Sequence, residues 1–113
     1  MTKIYHNPRC RKSRETLQLL EDKKESIETI LYLDDPPTTG ELKEILKMLG
    51  MTPIELVRKN EAVWKENFKN KEMSDQEILE AMVSFPKLIE RPIVIKNGKA
   101  AIGRPPESVV NIL

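Results

Sequence analysis

The beginning of the chain constrains the fold most strongly, because two short apolar runs flank one amphipathic segment. Residues 3–6 and 27–33 are apolar runs typical of strands, and residues 12–22 place Leu17 and Leu20 on one side of a helix. A strand, a helix and a second strand within about 30 residues form a βαβ unit, whose two strands run parallel. The sequence therefore predicts an α/β protein with a partly parallel sheet.

The end of the chain predicts a second pair of strands, which are antiparallel. Residues 93–95 are β-branched and residues 100–102 are apolar, and Asn97-Gly98 between them is a strong hairpin signal. A last helix should follow from residues 103–107. Together the two ends predict a four-stranded mixed β-sheet flanked by helices. This order of elements matches the thioredoxin-like arrangement.

The segment between the two ends is predicted to be a helical insertion between the βαβ and ββα units. Thr38, Thr52 and Ser74 are each followed three residues later by Glu, which is the pattern of a capping box at a helix start. We expect a single domain over residues 1–113, with the insertion covering about residues 38–86.

Composition excludes several classes of function. A net charge of +1 over 113 residues gives no overall bias towards nucleic acid or acidic membranes. No apolar run reaches the roughly 18 residues of a transmembrane helix, and we expect no signal peptide. One cysteine and one histidine argue against an internal disulfide, a structural zinc site or any other metal site. We expect a cytoplasmic monomer without a bound cofactor, a nucleic-acid partner or a membrane partner.

The single cysteine, Cys10, lies at the predicted turn from the first strand into the first helix. Unpaired N–H groups and the helix dipole at such a turn favour a thiolate, which is the reactive form of cysteine. Four cations surround it in sequence: Arg9, Arg11, Lys12 and Arg14. The sequence therefore predicts a reactive Cys10, and the alternative is a small buried hydrophobic residue.

Three arginines stand at the ends of predicted elements, where loops commonly carry function. They are Arg58, Arg91 and Arg104. Arginine stays charged and donates in a fixed fork, which suits an oxyanion. In a thioredoxin-like fold, Arg91 should lie nearest Cys10. The alternative is that each arginine is an ordinary surface residue.

Four separated motifs resemble those of the ArsC-type arsenate reductases, in the same order. They are residues 4–8 with Cys10, Ser13 and Arg14; Arg58-Lys59-Asn60-Glu61; Arg91-Pro92-Ile93-Val94; and Gly103-Arg104-Pro105. The Spx transcriptional regulators resemble the chain more distantly. Where the characterised reductases have Gly-Thr after the cysteine, this chain has Arg11-Lys12, and those enzymes also extend beyond Leu113.

The resemblance implies a function and a role for each site residue. Cys10 would be the nucleophile that attacks arsenic in arsenate, and the three arginines above would bind the oxyanion. His6 would help lower the pKa of the nucleophile, and the Ser13 hydroxyl would hydrogen-bond to the thiolate. Pro92 would be the cis-proline of thioredoxin-like folds.

The resemblance also implies an external reductant, because the chain has no second cysteine to resolve the adduct. Glutathione would supply the second thiol as a co-substrate, and glutaredoxin would reduce the mixed disulfide. Two other functions stay open. One is a monothiol glutaredoxin-like oxidoreductase or redox sensor without arsenate specificity, and the other is an Spx-like regulator.

Overall fold

The chain, described from Met1 to Leu113 in a computed structural model, divides into two units. Unit 1 contains Met1–Asp35 and Arg91–Leu113, and unit 2 contains Pro36–Glu90. The predicted insertion of residues 38–86 falls inside unit 2.

Unit 1 contains the whole sheet, one α-helix and one 3₁₀ helix. Its elements are β1 (Thr2–Tyr5), α1 (Arg11–Asp22), β2 (Ile27–Ile30), β3 (Ile93–Lys96), β4 (Lys99–Ile102) and a 3₁₀ helix (Pro106–Ile112). The strand order is β2-β1-β3-β4. Strand β1 pairs parallel with β2 and antiparallel with β3, and β3 pairs antiparallel with β4. The predicted four-stranded mixed sheet is therefore confirmed.

The hairpin between β3 and β4 forms at Asn97-Gly98, as predicted. Both residues have positive φ angles, 51° and 75°, which Asn and Gly tolerate better than other residues. Ile93 pairs with Ile102 at the open end of the hairpin. Consequently the residues just before β3 and just after β4 lie side by side.

The core of unit 1 lies between the sheet and its two helices. Ile4, Leu20, Val94 and Val109 are all completely buried and form one apolar cluster. They come from β1, α1, β3 and the 3₁₀ helix, so the cluster fixes α1 and the 3₁₀ helix against the sheet.

Two predicted elements of unit 1 differ in the structure. Strand β2 ends at Ile30 instead of residue 33, because the backbone N–H groups of Asp34 and Asp35 both donate to the carbonyl oxygen of Leu31 in a turn, at 3.0 and 2.9 Å. The last helix is a 3₁₀ helix preceded by Pro105 and begun by Pro106. Proline has no backbone N–H, so these two positions cannot donate to a regular ladder.

Unit 2 consists of helices. They are α2 (Thr39–Leu49), α3 (Pro53–Leu56), α4 (Ala62–Asn67), α5 (Asp75–Ser84) and a short 3₁₀ helix (Pro86–Leu88). The capping boxes predicted at Thr38, Thr52 and Ser74 all form. No helix in either unit combines the length and the apolar character needed to cross a membrane.

Candidate active site

Cys10 is the N-cap residue of α1, and the backbone on both sides of it is fixed. Its own N–H donates to the carbonyl oxygen of Asn7 at 3.0 Å, and its carbonyl oxygen accepts from the N–H of Arg14 at 3.0 Å. The residue is 8% exposed, so the sulfur has only a narrow contact with solvent. Cys10 therefore lies where the sequence predicted, between β1 and the first turn of α1.

Two arginines from the other end of unit 1 reach this sulfur. The Nη2 group of Arg104 donates to Cys10 Sγ at 3.5 Å, and its Nε donates to the carbonyl oxygen of Arg91 at 2.8 Å. The side chain of Arg91 also hydrogen-bonds to Cys10. The β3–β4 hairpin makes this possible because it returns the chain to the edge where β1 ends.

The pKa of the Cys10 thiol is lowered by the sum of several opposing influences. Burial is the largest single influence and favours the neutral thiol, but the remaining influences outweigh it. The backbone N–H of Ser13 favours the thiolate, although it makes no regular capping hydrogen bond to the sulfur. The hydrogen bond from Arg91 and the charges of Arg91 and Arg104 add to this effect.

The cations adjacent to Cys10 in sequence are not among the groups that lower its pKa. Arg11 instead pairs with Glu15 at 3.2 Å and is 84% exposed, and Arg14 donates to the carbonyl oxygen of Pro8 at 2.9 Å. The expectation that the neighbouring cations activate the thiol was therefore wrong. The cationic side chains in the first turn of α1, those of Arg11, Lys12 and Arg14, are exposed to solvent. The arginines that interact with the sulfur come from the two ends of the β3–β4 hairpin, Arg91 before it and Arg104 after it.

His6 and Ser13 form a buried pair beneath the cysteine loop. The Nδ1 atom of His6 lies 2.6 Å from Ser13 Oγ, and Ser13 Oγ also accepts from the N–H of Asn7 at 3.0 Å. Burial, with a smaller contribution from the positive charge of Arg14, lowers the pKa of His6, so the ring is neutral at pH 7. The Ser13 hydroxyl is thus engaged with His6, and the group of Ser13 that favours the thiolate is its backbone N–H.

This arrangement changes how His6 would influence Cys10. A neutral imidazole supplies no positive charge to the thiolate, and His6 is not among the groups that shift the pKa of Cys10. Any effect of His6 on Cys10 would pass through Ser13, because the Ser13 hydroxyl contacts His6 and the Ser13 backbone N–H favours the thiolate. Its tuning role stays a prediction.

Gly103 is a site residue that the sequence analysis named only as part of a motif. A Cβ atom at this position would lie 2.4 Å from Thr16 Oγ1 and 2.8 Å from Pro92 Cγ, so only glycine fits. Its N–H donates to the carbonyl oxygen of Pro92 at 2.9 Å, and the Arg91–Pro92 and Arg104–Pro105 peptide bonds are both cis. Gly103 therefore lets the chain pass close to α1 directly before Arg104.

Arg58 belongs to unit 2 and is described within that unit. Its guanidinium group lies 3.2 Å from Glu90 Oε1 and 3.7 Å from Glu61 Oε1, so two carboxylates hold it. Its backbone N–H donates to the carbonyl oxygen of Leu88 at 2.7 Å. The part of Arg58 in anion binding stays a prediction.

The chemistry available at this site follows from one buried sulfur and two guanidinium groups. A thiolate is a nucleophile, and arginines that stay charged can bind an oxyanion and stabilise charge that develops on it. The sheet order and a cysteine of lowered pKa at the start of α1 define a thioredoxin-like protein with a single thiol.

Comparison with known proteins agrees with this class. The sequence profile of the ArsC family matches residues 5–112. The chain is 51% identical to the Escherichia coli (strain K12) protein YfgD over 98% of this chain and 95% of YfgD. It is 43% identical to the arsenate reductase of Neisseria meningitidis serogroup B (strain ATCC BAA-335 / MC58), over 98% and 97% of the two chains.

The fold comparison gives the same result. The solved structure of an arsenate reductase from Vibrio cholerae superposes with a TM-score of 0.94 at 46% identity, covering 99% of this chain and 97% of that one. This chain belongs to the ArsC family.

Proposed function

We propose that this protein reduces arsenate to arsenite, with Cys10 as the nucleophile and an external thiol that resolves the adduct. The observation that carries the proposal is the approach of Arg91 and Arg104 to a cysteine whose pKa is lowered. Relatives at 43 to 46% identity are named arsenate reductases. The same two guanidinium groups that stabilise the thiolate can also bind a tetrahedral oxyanion next to it.

In the first step, the arginines hold arsenate so that arsenic faces the sulfur. Cys10 Sγ attacks arsenic, and one arsenate oxygen leaves as water after taking up protons. A sulfur–arsenic(V) bond has then replaced an oxygen–arsenic bond. Binding and orientation account for much of such a reaction, because the charges are fixed before the substrate arrives.

The second step needs two electrons, and the chain supplies only one thiol. A second thiol, for which we propose glutathione, joins Cys10 Sγ in a disulfide, and the two sulfurs together give two electrons to arsenic. Arsenic(V) becomes arsenic(III) and leaves as arsenite. Glutaredoxin then reduces the mixed disulfide and restores the Cys10 thiolate.

A steady-state assay of arsenite formation with arsenate, glutathione and glutaredoxin tests this proposal. We expect turnover by the wild-type protein and none above background for Cys10→Ser, whose fold is checked by circular dichroism. Absence of wild-type turnover with an intact fold would overturn arsenate reduction. In that case, reduction of a glutathione mixed disulfide by the same protein would select the monothiol oxidoreductase instead.

A further inference from the structure

Asn7 is a buried polar residue that has no part in the chemistry described above. It lies between β1 and the cysteine, directly before Pro8, and is 8% exposed. No hydrogen bond joins its side chain to Cys10. The carboxamide oxygen Oδ1 accepts instead from the backbone N–H of Arg9 at 3.0 Å. The side chain of Asn7 therefore acts on the loop that leads to the nucleophile.

Asn7 closes the turn that leads into Cys10. Its carbonyl oxygen accepts from the N–H of Cys10 at 3.0 Å, across a turn at Pro8 and Arg9. Asn at the first position and Pro at the second are favoured residues of such a turn. The bond from Arg9 to Asn7 Oδ1 adds a side-chain closure of a kind that Asn and Asp make well and Ser and Thr make more weakly. Asn7 thus closes the turn twice, once with its main chain and once with its side chain.

The main chain of Asn7 is also bonded to the helical residue that favours the thiolate. The N–H of Asn7 donates to Ser13 Oγ at 3.0 Å, and Ser13 is completely buried. Ser13 is the third residue of α1, and its backbone N–H favours the thiolate of Cys10. Asn7 therefore holds both members of this contact, Cys10 through the turn and Ser13 through its hydroxyl group.

We propose that Asn7 is a positioning residue for the nucleophile and that it keeps Cys10 Sγ within reach of the backbone N–H of Ser13. The carboxamide oxygen is the part that a substitution removes, because the two other bonds of Asn7 use main-chain atoms. Without this oxygen the turn relaxes and Cys10 shifts relative to α1. The inference rests on the proposed function only for the role of Cys10 as a nucleophile, and it does not require arsenate.

The pH dependence of Cys10 alkylation by iodoacetamide tests the proposal, because the thiolate is the form that reacts. We expect the midpoint of the profile to rise by about half a pH unit in Asn7→Ala, because a hydrogen bond to a charged group contributes about one unit or more and the relaxed turn weakens this bond without removing it. Asn7→Ser should give a smaller rise, since a hydroxyl oxygen makes the bond to Arg9 more weakly than a carboxamide does.

The matched control is Asn67→Ala in unit 2, which also removes one hydrogen bond between an asparagine side chain and the backbone. That bond runs from Asn67 Nδ2 to the carbonyl oxygen of Val63 at 3.1 Å, within α4. The midpoint of Asn67→Ala should equal that of the wild type. Circular dichroism and urea denaturation check the fold of each variant.

An unchanged midpoint in a folded Asn7→Ala protein, or an equal rise in Asn67→Ala, would overturn the role of Asn7. If Asn7→Ala does not fold, Asn7→Ser decides, and a wild-type midpoint in that variant counts against the proposal. Arsenate turnover is measured separately. A wild-type protein that reduces no arsenate removes the proposed function and leaves the role of Asn7, whereas an unchanged midpoint beside normal turnover removes only the role of Asn7.

Discussion

Replacing Gly103 with alanine tests whether the close packing of Gly103 against α1 positions Arg104 beside Cys10. The new Cβ would lie 2.4 Å from Thr16 Oγ1, 3.0 Å from Thr16 Cγ2 and 2.8 Å from Pro92 Cγ. Normal contacts between such atoms are about 3.5 Å or longer, so the chain must shift by roughly 1 Å. Neither neighbour yields easily, because Thr16 is fully buried with its Oγ1 donating to a backbone carbonyl, and Pro92 is a ring.

Two effects should follow from this shift. Overpacking of this kind costs about 1–3 kcal/mol of the free energy of unfolding. Displacement of Gly103 also moves the next residue, and the hydrogen bond from Arg104 to Cys10 Sγ is already 3.5 Å long. We therefore expect the pKa of Cys10 to rise towards that of an ordinary thiol in Gly103→Ala.

Urea denaturation and the pH dependence of Cys10 alkylation by iodoacetamide measure the two effects separately. The control is Gly40→Ala, since a Cβ there would meet only Thr38 Oγ1 at an ordinary 3.8 Å. Thr16→Ala in the Gly103→Ala background should recover part of the loss, because it removes two of the three crowded atoms. A destabilised Gly103→Ala protein with an unchanged Cys10 pKa would refute the link from packing to Arg104.

Three further predictions concern the charges at the site. Arg104→Gln should raise the pKa of Cys10, whereas the exposed Arg11→Gln should leave it unchanged; alkylation profiles decide, and equal shifts would contradict the assignment. The lowered pKa of Cys10 means that the folded chain releases its proton first. The stability from the thiolate is therefore complete above the unfolded value of about 8.5 and is lost as pH falls through the folded value. Unfolding free energies of wild type and Cys10→Ser should then diverge as pH rises, and parallel curves would argue against an ionised sulfur. The pKa of His6 is also lowered, so its stabilising contribution is present above about pH 6.5 and is lost as pH falls through the folded value. His6→Gln should flatten that part of the stability curve, and an unchanged curve would exclude a buried neutral ring.

Local sequence signals determined those elements whose stabilising contacts join residues close together in the chain. The capping boxes, the Asn97-Gly98 turn and the position of Cys10 at the start of α1 all follow from contacts within a few residues. The parallel pairing of β1 with β2 follows equally, because a short βαβ connection allows little else. The end of β2 could not be predicted from the sequence. Strand β2 lies at the edge of the sheet, and the chain leaves the sheet in a turn after Ile30 although the next residues are also apolar.

Tertiary structure alone decided which cations act on the sulfur. Sequence proximity favoured the four cations around Cys10, yet their side chains are exposed, and water screens their charges. Arg91 and Arg104 reach the sulfur because the antiparallel hairpin returns the chain to the end of β1 and because Gly103 leaves room to pass. The contacts of Arg91 and Arg104 with Cys10 join residues more than 80 positions apart, and they are made only when the sheet has formed.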